Sequence, residues 1–252
     1  MALPTSLLAE PEPFDDLPPG GQAAPAPRPV PAWAETARRV RPTVLAVERT
    51  LPVLPALADL LPDGLRRGSS IGVSGPGSRS LMLALIAEAT SSGSWAAVVG
   101  DPDLGLVAAA EVGVALERLA VIVAPEPAAW GDVVGALVGA LDLVLVSPRH
   151  RVRSSDARRL AARARERGSV LIRVGGATSG AWPDRPDLQL DVAAGVWVGP
   201  GAGHGRLRLR RVEVFATGRR TAARGHRATL LLPSPDGSPA TPDGSLPGPV
   251  RP

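Results

Sequence analysis

Apolar and polar positions follow two different periods along this chain, and the change of period divides it. Apolar runs at 71–74, 95–99, 119–123, 141–146 and 169–174 read as strands, and 81–91, 104–115, 128–140 and 155–167 between them repeat at helical spacing. Ala120-Val121-Ile122-Val123 and Leu143-Val144-Leu145-Val146 have no polar phase, which fits strands buried on both faces. Strands alternating with helices of this length predict an α/β fold with a mostly parallel central sheet covered by helices.

After Gly175 the helical spacing stops. Runs at 188–192, 196–198, 206–216 and 229–232 read as strands without intervening helices, hence a C-terminal antiparallel extension. Leu207 and Leu209 keep one phase and Val212 and Val214 the other, so a bulge near Arg210-Arg211 is expected. Upstream, Trp33 to Arg41 is a helix candidate stopped by Pro42. Thr43 to Leu61 is apolar and interrupted at Pro52 and Pro55. The expected organisation is a disordered Pro/Ala-rich tail at 1–31, a helical segment at 32–61, a core at 62–232 and a disordered Pro/Gly/Ser tail at 233–252. Leu3 to Leu8, beside Phe14, is an apolar exception in the first tail that reads either as a docking group or as chance composition.

Composition narrows the chemistry. The chain of 252 residues has no cysteine, which excludes disulfides and thiolate metal sites, and its three histidines are too scattered for a zinc motif. No stretch approaches the roughly 18 apolar residues of a membrane span, and the N-terminus lacks a secretory pattern, so a cytoplasmic protein without membrane contact is expected. All 28 basic residues are arginine, and lysine, asparagine and tyrosine are absent, a pattern typical of GC-rich coding. Residues 206–227 hold eight arginines against Glu213 alone. Arg206, Arg208, Arg210, Arg219, Arg220, Arg224 and Arg227 are therefore candidate phosphate contacts, with a solvated arginine hairpin as the other reading. Arg158, Arg159, Arg163 and Arg167 fall outside the Ala157-Leu160-Ala161-Ala164 stripe and read as a solvated helix face.

The strand at 71–74 runs through Gly75-Pro76-Gly77-Ser78-Arg79-Ser80 into an apolar helix, the layout of a phosphate loop. Such a loop aims backbone N–H groups and a helix N-terminus at the anion, while a lysine reaches the outer phosphates. Here Arg79 stands where that lysine is needed, and a guanidinium is planar and bulkier than an ammonium. Gly75, Gly77, Ser78, Arg79 and Ser80 read either as a vestigial tight turn or as a site that binds nucleotide without hydrolysing it efficiently.

This loop, with Leu65-Arg66-Arg67-Gly68 before it, Ala96-Ala97-Val98-Val99-Gly100-Asp101 after it and then Leu141-Asp142-Leu143-Val144-Leu145-Val146-Ser147, resembles the RecA-like ATPase core. The resemblance covers roughly residues 62–216. Leu51-Pro52-Val53-Leu54-Pro55-Ala56-Leu57, the turn Gly-Asp-Pro-Asp-Leu-Gly at 100–105 and Ala109 to Leu119 resemble more narrowly the shortened RecA paralogue of high-GC bacteria called ImuA-prime. That resemblance implies a RecA-like P-loop core acting as an accessory adaptor in damage-induced SOS mutagenesis and translesion synthesis. Its implied partners are a Y-family polymerase homologue and an error-prone replicative polymerase, with DNA contact left open.

Against the same fold, Ser147 occupies the place of the magnesium-holding aspartate, and Asp101 is the candidate for the water-activating carboxylate, its other reading being the turn residue of an Asp-Pro pair. Losing both lysine and metal carboxylate removes the main supports of phosphoryl transfer. No resident cofactor, no metal and no efficient ATPase activity are expected. Two other functions stay in view: a nucleotide-dependent DNA-binding recombination or repair protein, and a cell-division regulator of the shortened-RecA type.

Overall fold

The computed structural model describes residues 50–123, 125–175, 182–199, 206–218 and 225–242. All lie in the unit Ala32–Pro252. The tail expected at 1–31, the helix candidate Trp33 to Arg41 and the arginines Arg219, Arg220 and Arg224 lie outside the described residues.

The described residues begin with β1 (Thr50–Leu51), a 3-10 turn at Pro55–Leu57 and β2 (Leu65–Arg66), which pairs antiparallel with β1. Within 50–61, where a helical segment is expected, the two prolines break the backbone ladder and the apolar residues Leu57, Leu60 and Leu61 are buried by turns instead. β3 (Ser70–Ser74) then leads into α1 (Ser78–Ser91). Next come β4 (Ala96–Val99), α2 (Leu106–Val112), a 3-10 turn and β5 (Leu119–Ile122). They are followed by α3 (Pro127–Val138), β6 (Leu143–Val146), α4 (Ser154–Arg167) and β7 (Val170–Val174). The C-terminal strands are β8 (Leu188–Val192), β9 (Val196–Val198), β10 (Leu209–Gly218) and β11 (His226–Leu231).

One sheet carries most of these strands in the order β11-β10-β8-β3-β7-β6-β4-β5, with β9 beside β10. The pairs from β8 through β3, β7, β6 and β4 to β5 are parallel, and β10 runs antiparallel to β8, β9 and β11. The architecture is therefore α/β, mostly parallel, with an antiparallel extension.

Burial on two sides explains the unbroken apolar runs of β4 and β6, whereas the run at 120–123, also expected to be buried on both faces, is the edge strand β5 and leaves Val121 and Val123 exposed. Ala96, Val98, Leu143 and Leu145 enter the core beneath α1, while Ala97, Val99, Val144 and Val146 enter the core beneath α3 and α4. α1 is apolar almost all round because it is enclosed, Leu81, Ala84, Leu85, Ile86 and Ala87 being fully buried. α4 is amphipathic, with Ala157, Leu160 and Ala164 inward, and it ends at Gly168 in the left-handed conformation (φ 72°). Its N-cap is Arg153, and Ser154 is the first residue of the helix. α2 is shorter than its pattern suggests because Gly113 (φ 97°) terminates it.

Two local expectations change. β10 keeps unbroken register with β11, and the extra residue lies in the facing chain. Ala193 donates to Glu213 while Val196 pairs with Arg211, so Ala194 and Gly195 together oppose Val212. A Cβ on Gly195 would come within 2.6 Å of the Val212 side chain, so glycine permits the bulge there. Residues 233–242 do not continue as a flexible tail: Ala240 bridges to Leu231, and Ser234 is buried with its N–H donating to Ser238.

Candidate functional site

The glycine turn joins the C-terminal end of β3 to the start of α1. Gly75 and Gly77 both have positive φ (91° and 95°), which side-chain-bearing residues rarely adopt. A Cβ on Gly75 would overlap the Val192 carbonyl oxygen, and one on Gly77 would lie 2.6 Å from Arg210 Nη1. The turn thus packs on one side against β8 and β10, while Gly75 and Pro76 stay exposed.

Its donors are committed only in part, the backbone N–H groups of Gly75, Gly77, Arg79 and Ser80 having no acceptor among the described residues. Pro76 has no N–H, the Ser78 N–H donates to Gly75 O (3.1 Å) and the Ser78 hydroxyl donates to Gly175 O (3.2 Å). The helix follows Gly77 directly, leaving a three-residue connection between Ser74 and Ser78. Arg79 points sideways: its Nε and Nη2 donate to the two carboxylate oxygens of Asp101 at 2.8 and 2.6 Å. Asp101 is 3% exposed and follows Gly100 (φ 84°) at the end of β4. A two-point guanidinium–carboxylate bond of this kind fixes both groups. Asp103 adds weaker, exposed contacts to Arg79 (3.8 Å) and Arg149 (3.7 Å). Ser147 is held by its N–H to Val99 O (2.9 Å), and its carbonyl lies against Gly100. Ser80 is half-buried on the first turn of α1.

The fold therefore brings Arg79 and Asp101 together, with Ser147 on the neighbouring strand end. The pair occupies the two groups nearest to lysine and catalytic carboxylate in role. The turn keeps open backbone N–H groups, but with Arg79 bonded to Asp101 and a serine at 147 it lacks the free cation and the metal-holding carboxylate that a triphosphate needs. Among the described residues, no cluster of three His, Asp or Glu side chains could hold a metal.

The basic C-terminal strands do not act as one surface. Arg206 and Arg208 are exposed, but Arg210 turns toward the glycine loop, donating to Pro76 O (3.1 Å) and lying 5.7 Å over the Trp197 ring. Its Nε is buried without an acceptor. Arg227 pairs with Glu213 and covers Phe215 at 5.4 Å.

A polar network on β3, β7 and β8 was not anticipated from the sequence. The Ser74 hydroxyl donates to Asp191, and Gln189 Nε2 donates to Ser74 Oγ (3.0 Å) and Asp191 Oδ1 (2.8 Å). Arg173 Nη2 donates to Gln189 Oε1 (3.3 Å). Burial pulls the Arg173 guanidinium below its ordinary pKa, partly offset by the Asp191 charge. The available signal was the polar phase of Leu188-Gln189-Leu190-Asp191-Val192, which marks one face of β8 as non-core but cannot name its partners.

Residues 59–184 match the family model described as the MT3502 N-terminal domain. A relative described as uncharacterized protein Rv3395c, from Mycobacterium tuberculosis (strain ATCC 25618 / H37Rv), is 40% identical over 136 residues, 53% of this chain. The matched region spans 61% of that relative's length. Among solved structures, the RadB recombinase superposes with a TM-score of 0.54 over 75% of this chain and 97% of that one, at 16% identity, a likeness of fold.

Proposed function

Because the chain belongs to the family described as the MT3502 N-terminal domain, we propose that this RecA-like member has given up nucleotide hydrolysis and serves as an adaptor in damage-induced translesion synthesis. The observation carrying this reading is the bond between Arg79 and Asp101, in a turn whose Pro76 and Ser78 supply no free N–H. Transition-state stabilisation in phosphoryl transfer depends on positioned positive charge and metal, and here the one loop cation is neutralised by a buried carboxylate. What remains of the site stabilises the fold. The partners are a Y-family polymerase homologue and an error-prone replicative polymerase, met in the cytoplasm. Among the described residues no helix is long and apolar enough to cross a membrane.

Titration calorimetry with ATP and magnesium should register no binding, and size-exclusion chromatography with the Y-family protein at micromolar concentration should give a complex. Saturable ATP binding accompanied by turnover, or failure of the complex to form, overturns the reading. Exposed Arg206, Arg208 and Arg211, which form no ion pair among the described residues, favour a second one, a DNA-binding repair protein. In that case Arg206→Glu/Arg208→Glu should abolish a salt-sensitive affinity for single-stranded DNA.

A further inference from the structure

A groove beside β7 and β8 shares no lining residue with the glycine turn. The segment Trp182 to Asp187, which leads into β8, is not helical and lies across from α4. Between them lies a cavity of about 470 Å³ floored by Ser70, Ile71, Leu171 and Arg173, a volume in the range of small-ligand sites. α4 presents Arg158, Ala161, Ala162 and Arg165 to it, spaced i, i+3, i+4 and i+7, a second stripe distinct from the core stripe Ala157-Leu160-Ala164. The facing segment contributes Trp182, Asp184, Arg185 and Asp187.

Charge in this groove is unbalanced. Asp187 is engaged by the Ser70 N–H (2.9 Å) and hydroxyl (2.8 Å). Arg158, Arg165 and Arg185 form no ion pair among the described residues. Arg173, half-buried on the floor, donates to the neutral amide of Gln189 and feels the nearby Asp191 charge, so Arg158, Arg165, Arg173 and Arg185 face Asp184 and Asp187 in the lining. Guanidinium groups match phosphate oxygens in two-point geometry, and the small side chains of Ala161 and Ala162 leave room between Arg158 and Arg165. On the other wall, Trp182 is half-buried and braced edge-on by Trp130 at 6.1 Å between ring centres. An indole held in this way is a platform for a planar base.

We propose that this groove binds a phosphorylated nucleotide unit, its phosphate on Arg158, Arg165 and Arg173 and its base against Trp182. A free nucleotide and a nucleotide within a single strand present the same chemistry. The site is independent of the glycine turn and of the adaptor reading.

The test uses the full chain. Fluorescence anisotropy of a labelled, 5′-phosphorylated oligo-dT should show saturable binding that weakens about tenfold or more in Arg158→Glu/Arg165→Glu. Both side chains are exposed, and an unchanged melting temperature confirms the fold of the variant. Competition by dTMP or ATP at equal affinity identifies the free nucleotide as ligand; competition only by unlabelled oligomer identifies the strand. The proposal is overturned by absence of binding or by binding that survives the double variant. It is equally overturned by loss in Arg206→Glu/Arg208→Glu instead, or by a polyglutamate peptide binding where nucleotides do not. Complex formation with the polymerase partner should persist in Arg158→Glu/Arg165→Glu, so failure here and failure of the adaptor reading are separable.

Discussion

Arg79 occupies the first turn of a helix whose N-terminus repels a cation, a position that costs stability unless a carboxylate answers it. Asp101 answers it from the end of β4 with two hydrogen bonds, while half of the Arg79 side chain remains in solvent. Removing the guanidinium strands a buried carboxylate. Arg79→Ala should therefore destabilise the fold by about 1–3 kcal/mol, read from the urea midpoint, with Asp101→Asn/Arg79→Ala recovering part of the loss. An Arg79→Ala protein as stable as the parent would show that the bond contributes nothing. At this scale the residue types were legible: the missing lysine, Ser147 and the isolated Asp101 are all plain in the sequence. Their pairing was not, because Arg79 and Asp101 are 22 positions apart and meet only when β3 and β4 are set in one sheet.

Elements were legible where burial is complete and blurred where it is partial. The strands β4, β6 and β7 and the helix α4 stand within a few residues of their apolar patterns, since every change of period there coincides with a change of packing. Boundaries moved where a backbone feature intervened: Gly113 cut α2 short, and the bulge at Ala194-Gly195 let β10 stay regular. α4 separates core from surface cleanly. Leu160→Ala, deleting a fully buried side chain on the helix face that packs against α3 and β7, should cost about 2–5 kcal/mol. Arg167→Ala on the exposed last turn should stay within about 0.5 kcal/mol. Comparable losses for the two would mean that α4 does not pack as described. The same helix also shows a limit of pattern reading: its arginines read alike in sequence, yet only Arg158 and Arg165 face the groove.

At the scale of the molecule, the antiparallel strands are part of the principal core rather than an appendage. Val212, Val214, Ala216, Ala228 and Leu230 share one buried cluster with α1, β3 and β8. A chain ending at Val192, which keeps every parallel strand, should consequently lose its cooperative urea transition; a sharp transition would show that the parallel sheet folds alone. These strands also pack against one side of the glycine turn, through the Val192 carbonyl at Gly75 and Arg210 at Gly77 and Pro76. The sequence alone determined the α/β class, the two-sided burial of β6 though not of the edge strand β5, the antiparallel extension and the absence of a lysine, because these depend on local period and residue type. Only the tertiary structure decided that Arg79 is held by Asp101, that Arg210 leaves the basic cluster for the loop, and that α4 and Trp182 enclose a cationic groove. Those facts depend on which strand lies beside which, and strand order follows from packing across the whole sheet, which no local pattern encodes.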